Sequence, residues 1–468
     1  MPENGTQVAG DSAPLHVAIV GGGPSGFYAA LNLLERDDLD VHVDLFDRLP
    51  MLFGLVRYGV APDHAKIKNV TRVFERGMDK AGARFRFLGN VEVGTDVSLD
   101  ELMAHYDAVI LAFGAQSDRR LNIPGEDLHG VYAAREFVAW YNSHPDYEDA
   151  EFDLDTERAM VIGVGNVAID VARILASTDE ELSSTDINPN AQAEIAASPI
   201  NDILVVARRG PAQAACTAVE LREMGNLQEA TLVVSQRDLD LDPLSRKLLE
   251  QGDIDSQNKR NLDAMAEESE REIPDDRPYI HLRFYESPVE FIGEDRLEAV
   301  KLRRNSLTQR GDGKVVVEPT DKFEVVPCGV AFRSIGYLVE PVPGVPYYEP
   351  WSWIPNVAGQ VLKEKDGPPY LGLFVTGWAK RGPSGVIGTN KPCAAETVES
   401  LLAARERGEL PARTGEDIGD VLRDRGVRFI TRSDWEHLDK LERERGEAVG
   451  RPRVKFDGID DMLEAVRD

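Results

Sequence analysis

Two glycine turns are the first residues in the chain whose types and spacing could do chemistry. Gly21-x-Gly23-x-x-Gly26 follows a β-branched apolar run at residues 16–20 and leads into a helix-like run from Phe27 to Leu34. In that setting each glycine has a task. The first permits a tight turn, the second lets a pyrophosphate approach the backbone, and the third lets helix pack on strand. The helix start then offers free N–H groups to phosphate. Asp47 stands about 20 residues further on, at the end of the next strand, where a ribose 2′-hydroxyl needs an acceptor. Gly163-x-Gly165-x-x-Ala168 repeats the device after residues 160–162, with a helix expected at 169–176. The strand after it, 203–207, ends instead in Arg208-Arg209-Gly210. Arginines supply bidentate donors for a 2′-phosphate, so the second turn is built for NADP rather than NAD. Two such sites in one chain imply that one holds FAD and the other NADP(H), so that a hydride can pass between them.

Composition excludes several other classes. The 468 residues carry 53 basic and 82 acidic side chains, a formal charge of −29, and their length suits two or three domains. Hydrophobic residues at 42% and charged residues at 29% describe a globular protein. The summed negative field argues against a nucleic-acid partner. Cys216, Cys328 and Cys393 are too far apart for a redox dithiol or cluster ligands, and the histidines are scattered, so no metal is expected. No apolar run reaches the length of a membrane span, and the first fourteen residues show no signal pattern. A cytoplasmic location away from the membrane is the expectation.

These sites require a scaffold that points both turns the same way. Residues 108–113 and 203–207 are apolar throughout, as strands of parallel sheets covered by helices are. Residues 238–276 are charged and helical in propensity, with helices expected at 245–251 and 258–271 in an exposed insertion. Residues 281–289, 298–304 and 314–326 alternate as antiparallel strands do. The tail from Asp420 mixes charge with short apolar helices and carries no usable motif.

Longer strings now become informative: Gly54-Leu55-Val56-Arg57-Tyr58-Gly59-Val60-Ala61-Pro62-Asp63-His64, Ala115-Gln116-Ser117-Asp118-Arg119, Asn122-Ile123-Pro124-Gly125-Glu126, Arg208-Arg209-Gly210-Pro211, and the run from Gly377 to Lys391 (GWAKRGPSGVIGTNK). With these the chain resembles the adrenodoxin reductase and bacterial ferredoxin–NADP reductase family, from about residue 15 nearly to its end. The resemblance implies an α/β fold of two Rossmann-like, glutathione-reductase-like domains. An NADP domain at 118–339 would be inserted into an FAD domain formed by 15–117 and 340–468.

It implies further that Gly21, Gly23, Ser25, Gly26, Asp47, Leu55, Trp378 and the backbone of Gly385, Val386 and Ile387 meet FAD. Arg119, Gly163, Val164, Gly165, Asn166, Val167, Arg208, Arg209, Glu220 and Gly385 would meet NADP(H). His64 and Glu223 are the expected pair beside the reacting rings, positioning the nicotinamide and balancing charge. Gly385, lacking a Cβ, would let that ring lie flat, and a helix capped by Asn390, with Pro392 in its first turn, would aim its start at the flavin. Two departures from the family pattern carry expectations of their own. Leu52 in place of a proline would loosen the flavin-side loop, and Val164 in place of a polar residue would remove a cofactor hydrogen bond.

The implied activity passes a hydride from NADPH to FAD and then single electrons to a ferredoxin-type iron–sulfur protein, with flavodoxin as a second carrier. The alternative is an NADP(H)-binding flavoprotein, a diaphorase or sensor module, without ferredoxin turnover. An acidic carrier needs a local basic patch on this acidic chain, and Arg246 with Lys247, Lys259 with Arg260, and Lys380 with Arg381 are the candidates.

Overall fold

Leu15–Val20 is buried along almost its whole length, a pattern that suits a strand covered on both faces. It lies inside a seven-stranded sheet in the order Asn356–Val357, Gln360–Leu362, Pro369–Val375, Ala108–Leu111, Leu15–Val20, Val41–Asp47, Phe85–Gly89. The last five pair in parallel and the first two join antiparallel. Both ends of the chain thus meet in one sheet. This architecture comes from a computed structural model that describes residues 14–275, 278–414 and 416–467. The extreme N-terminal residues 1–13 and Asp276 at the end of the charged insertion lie outside the described residues.

A second sheet of six parallel strands is built from the middle of the chain. Its order is Val131–Ala133, Val330–Arg333, Arg158–Ile162, Asp202–Ala207, Tyr279–Phe284, Thr231–Val234. Ser117–Asp118 pairs with Tyr337–Leu338 where the chain crosses between the two sheets. Each glycine turn therefore sits at the carboxyl end of a central strand, where open α/β sheets present their ligand crevice.

The expected antiparallel strand at 281–289 proves to be two elements. Tyr285 adopts φ +61° and breaks the run, so that Tyr279–Phe284 joins the parallel sheet. Glu286–Ile292 then opens a separate antiparallel sheet with Ala299–Gln309 and Val315–Pro327. The charged insertion is not wholly exposed either. Its helix Ser256–Ser269 buries Asn261, Ala264, Met265 and Glu268 and packs on the helix Ala218–Met224 and the strand Thr231–Val234. The tail forms a 16-residue helix, Arg432–Glu447, which buries Trp435, Leu438 and Glu442. Glu442 receives both terminal nitrogens of buried Arg57, one at 2.8 Å, and so anchors the loop that leads to His64.

Candidate active site

The first glycine turn separates its glycines by what surrounds them. A Cβ on Gly21, which has φ +115°, would lie 2.6 Å from the Ala112 carbonyl oxygen, and one on Gly26 would lie 2.0 Å from that of Gly21. A Cβ on Gly23 would meet nothing nearer than Gly54 Cα at 4.0 Å. The outer two glycines serve packing, while the middle one faces space that a pyrophosphate can take. The helix Pro24–Leu34 starts without a side-chain cap, leaving its first N–H groups free for an anion.

Asp47 accepts from Gly22 N at 2.7 Å and from Leu49 N at 2.9 Å, which locks its carboxylate beside the turn. Burial pushes its pKa up, against the pull of those two N–H groups.

The Leu52–Gly54 loop folds over this turn. Phe53 holds φ +84°, and its N–H donates to the Gly22 carbonyl at 2.8 Å. Leu52, the residue that stands in place of a proline, is fully buried, its side chain part of the core. Asn390 differs from its expected capping role. Thr389 stands at the N-cap without a capping side-chain bond, and Asn390 Oδ1 instead accepts from Ser25 Oγ at 2.9 Å and Arg381 Nη2 at 3.1 Å. Trp378 donates from Nε1 to the Ser384 carbonyl and lies 5.3 Å from the Tyr337 ring. Leu55 and Val386, apolar residues, are 40% and 55% exposed, and Gly385 between Ser384 and Val386 has φ +81°. Lys380 is buried, bonded to Glu396 at 2.6 Å and Thr397 at 3.0 Å, which removes it from the candidate docking residues.

The second turn repeats the division of labour. Gly163 has φ +128°, and a Cβ there would lie 2.1 Å from the Ser334 carbonyl oxygen, whereas one on Gly165 would meet no atom within 4 Å. Ala168 is fully buried, and the helix Asn166–Ala176 also starts without a side-chain cap. Asn166 Oδ1 accepts from Thr217 N and the Val164 carbonyl from Cys216 N, both at 2.9 Å, tying the turn to the segment that carries Glu220 and Glu223. Val164 and Val167 pack against the core.

Arg208 is exposed and Arg209 partly buried, and among the described residues neither forms an ion pair. Burial and the neighbouring Arg208 charge lower the Arg209 pKa, a cost that an anion held between the two would relieve. Arg119 is likewise exposed, on the passage between the sheets, with its N–H on the Gly336 carbonyl at 3.0 Å; among the described residues no hydrogen bond joins it to the Arg208 turn. Gly165→Val should leave folding and flavin content unchanged while raising the KM for NADPH at least tenfold. An unchanged KM would mean that no phosphate approaches this glycine.

The loop after the first glycine turn and the helix after the arginine turn touch through His64. Its Nε2 lies 2.7 Å from Glu223 Oε2 and 3.4 Å from Glu220 Oε2. The sequence-expected pair is thus brought together, with Glu220 as a third member. Behind it stands Arg173, almost fully buried, which holds Asp63 at 2.6 Å, Asp170 at 2.8 Å and Glu220 at 3.2 Å. Asp63, Asp170 and Arg173 escaped the sequence reading. Their available signals were the Asp63-His64 dipeptide and the i,i+3 pair Asp170–Arg173 on the helix that follows the second turn.

Burial, reinforced by the charge of Asp170, raises the Glu220 pKa to about 7 from an ordinary 4.5. Burial also raises Asp170, whereas at Asp63 the Arg173 guanidinium outweighs burial and holds the carboxyl low. A raised carboxyl gives a folding contribution that is full below the unfolded value and is lost as pH rises through the folded one. Glu220→Gln removes that term, so its melting temperature should fall less than the parent's between about pH 5 and 8. Equal slopes in the two proteins would contradict the assignment.

Comparison with known proteins agrees with this geometry. Residues 15–206 match the pyridine nucleotide-disulphide oxidoreductase family, although the three cysteines here are buried and unpaired. NADPH-ferredoxin reductase FprA of Mycobacterium tuberculosis is 43% identical over 461 residues, 96% of this chain and 98% of that one. The mitochondrial NADPH:adrenodoxin oxidoreductase of Arabidopsis thaliana is 40% identical over 466 residues, 97% of this chain and 96% of that one. The solved structure of M. tuberculosis FprA in complex with NADPH is similar with a TM-score of 0.90 at 41% identity, covering 97% and 99% of the two chains. With likeness along almost the whole length of both chains, this chain belongs to the family of NADPH-ferredoxin and NADPH:adrenodoxin reductases.

Proposed function

We propose that this chain is an FAD-dependent NADPH–ferredoxin reductase of the cytoplasm. Residues 15–117 and 340–468 hold FAD, and residues 118–339 hold NADP(H). The observation that carries the reading is the 2.7 Å contact of His64, from the flavin-side loop, with Glu223, from the helix after the arginine turn. It gives the two dinucleotide turns one reaction space.

Bound FAD supplies the two-electron to one-electron conversion that a nicotinamide donor and an iron–sulfur acceptor require. The chain's own residues bind and orient. Gly23 and Gly165 leave room for pyrophosphate, and the uncapped helix starts beside them offer N–H donors. Asp47 accepts from the flavin-side ribose, Arg208 and Arg209 hold the 2′-phosphate, and Arg119 meets NADP(H). Gly385 keeps the nicotinamide face clear of a side chain. His64, between Glu220 and Glu223, fixes the nicotinamide and offsets charge. Hydride transfer releases no free proton, so the pair need not act as acid and base.

The acceptor is a ferredoxin-type iron–sulfur protein, with flavodoxin as a second carrier. Among the basic candidates Lys247, Lys259 and Arg260 are exposed and form no ion pair among the described residues, whereas Arg246 is drawn to Asp240 at 3.0 Å. Charge reversal at Lys259 and Arg260 should raise the KM for ferredoxin and flatten its salt dependence. No change in either quantity would remove that patch. No helix among the described residues is long and apolar enough to cross a membrane.

Cytochrome c reduction by NADPH that depends on added ferredoxin tests the reading. Absence of turnover with FAD intact would leave a flavoprotein that binds NADP(H) without this activity.

A further inference from the structure

A turn made of two adjacent arginines repels itself and needs its backbone held from outside. We propose that Asn305, on the antiparallel sheet, is a positioning residue for cofactor specificity, which sets the Arg208–Arg209 backbone for the 2′-phosphate of NADPH. The proposal rests on the reading of that turn given above.

The strand Ala299–Gln309 shifts register against Val315–Pro327 between Arg303 and Asn305, an irregularity of the kind that re-aims side chains. Asn305 is 5% exposed. Its Nδ2 donates to the Arg208 carbonyl at 3.0 Å and to Ser287 Oγ at 2.8 Å. Its own N–H donates to the Tyr285 carbonyl at 2.7 Å, and the Tyr285 N–H donates to the Arg209 carbonyl at 3.0 Å. Both carbonyls of the arginine dipeptide are therefore turned toward Asn305 and Tyr285. In a trans peptide the N–H points opposite to the preceding carbonyl, so the Arg209 N–H faces away from Asn305. Among the described residues it donates to nothing, and neither guanidinium is paired.

The orientation of the Asn305 amide follows from the same contacts. A reversed amide would set Oδ1 against the Arg208 carbonyl, two acceptors face to face. In the observed orientation Oδ1 is buried without a partner, and the amide acts only as a donor. The neighbouring Gly210 completes the clamp: a Cβ there would lie 2.4 Å from Tyr285 Oη, which donates to Asp242 Oδ2 at 3.2 Å. The antiparallel sheet thereby holds the turn while leaving its N–H and both guanidiniums free, which is preorganisation for an anion.

Asn305→Leu keeps the side-chain shape and removes both donors; Asn305→Ala is the second variant. In the FAD-loaded enzyme, calorimetry with 2′,5′-ADP and 5′-AMP as probes separates the 2′-phosphate from the rest of the nucleotide. Either variant should bind 2′,5′-ADP about tenfold more weakly, with 5′-AMP unchanged. The KM for NADPH should rise while that for NADH does not. Equal loss for both probes, loss for neither, or failure of both variants to fold would overturn the proposal and leave Asn305 structural. Arg208→Ala measured in parallel separates the two levels. If Arg208→Ala leaves 2′,5′-ADP binding intact, the reading of the turn fails. If it weakens that binding and the Asn305 variants do not, only the role of Asn305 fails.

Discussion

Exchanging Arg208 and Arg209 together for alanine should lower the ratio of kcat/KM for NADPH over NADH by at least about 10²-fold. A hydrogen bond to a charged group contributes about 1.5 to 3 kcal/mol, and tenfold corresponds to about 1.4 kcal/mol, so two lost contacts suffice. The physical basis is the absence of competition. The chain has 82 acidic side chains, yet among the described residues none pairs with either arginine. Flavin content and turnover with NADH should stay near the parent's, because the open space at Gly165 and the cluster at His64 are untouched. An unchanged ratio would place recognition of the 2′-phosphate elsewhere, with Arg119 the next residue to exchange.

Replacing His64 or Glu223 by glutamine should slow reduction of the bound flavin by about 10²-fold, the order of loss that a misplaced reacting group produces. His64 follows the loop beside the seven-stranded sheet and Glu223 lies on a helix of the six-stranded one, and they meet at 2.7 Å, so either change releases that contact. Stopped-flow mixing with NADPH reads the rate, and flavin absorbance after gel filtration reads retention. A slow rate with full retention is the expected result. Loss of flavin alone would make the pair structural.

Much of this was legible in the sequence because it is local. The glycine turns are short strings whose spacing is set by one strand, one turn and one helix, and Asp47 and Arg208–Arg209 follow at strand ends. The all-apolar runs at 108–113 and 203–207 pointed to parallel sheets for the same reason. What was hidden depends on contacts between distant segments. Arg173 reads as one more helical arginine until Asp63, 110 residues earlier in the chain, folds against it. The period-two pattern of 281–289 cannot reveal that Tyr285 turns the chain from one sheet into another. Glu442 sits in a charged tail without any motif, and only its bonds to Arg57 and Arg453 give it meaning. Lys380 and Arg381 looked alike as surface cations. Folding buries Lys380 beside Glu396 and turns Arg381 to Thr389 and Asn390.

The central claim is that one chain takes a hydride from NADPH and delivers electrons to an iron–sulfur carrier. Anaerobic sequential stopped flow tests it most directly: the protein is mixed with one equivalent of NADPH and then with oxidised ferredoxin, with the flavin bands followed throughout. The account predicts bleaching of the oxidised-flavin absorbance in the first mix and its return, with reduction of the ferredoxin, in the second. Flavin that NADPH does not bleach, or bleached flavin that ferredoxin does not reoxidise, would contradict it.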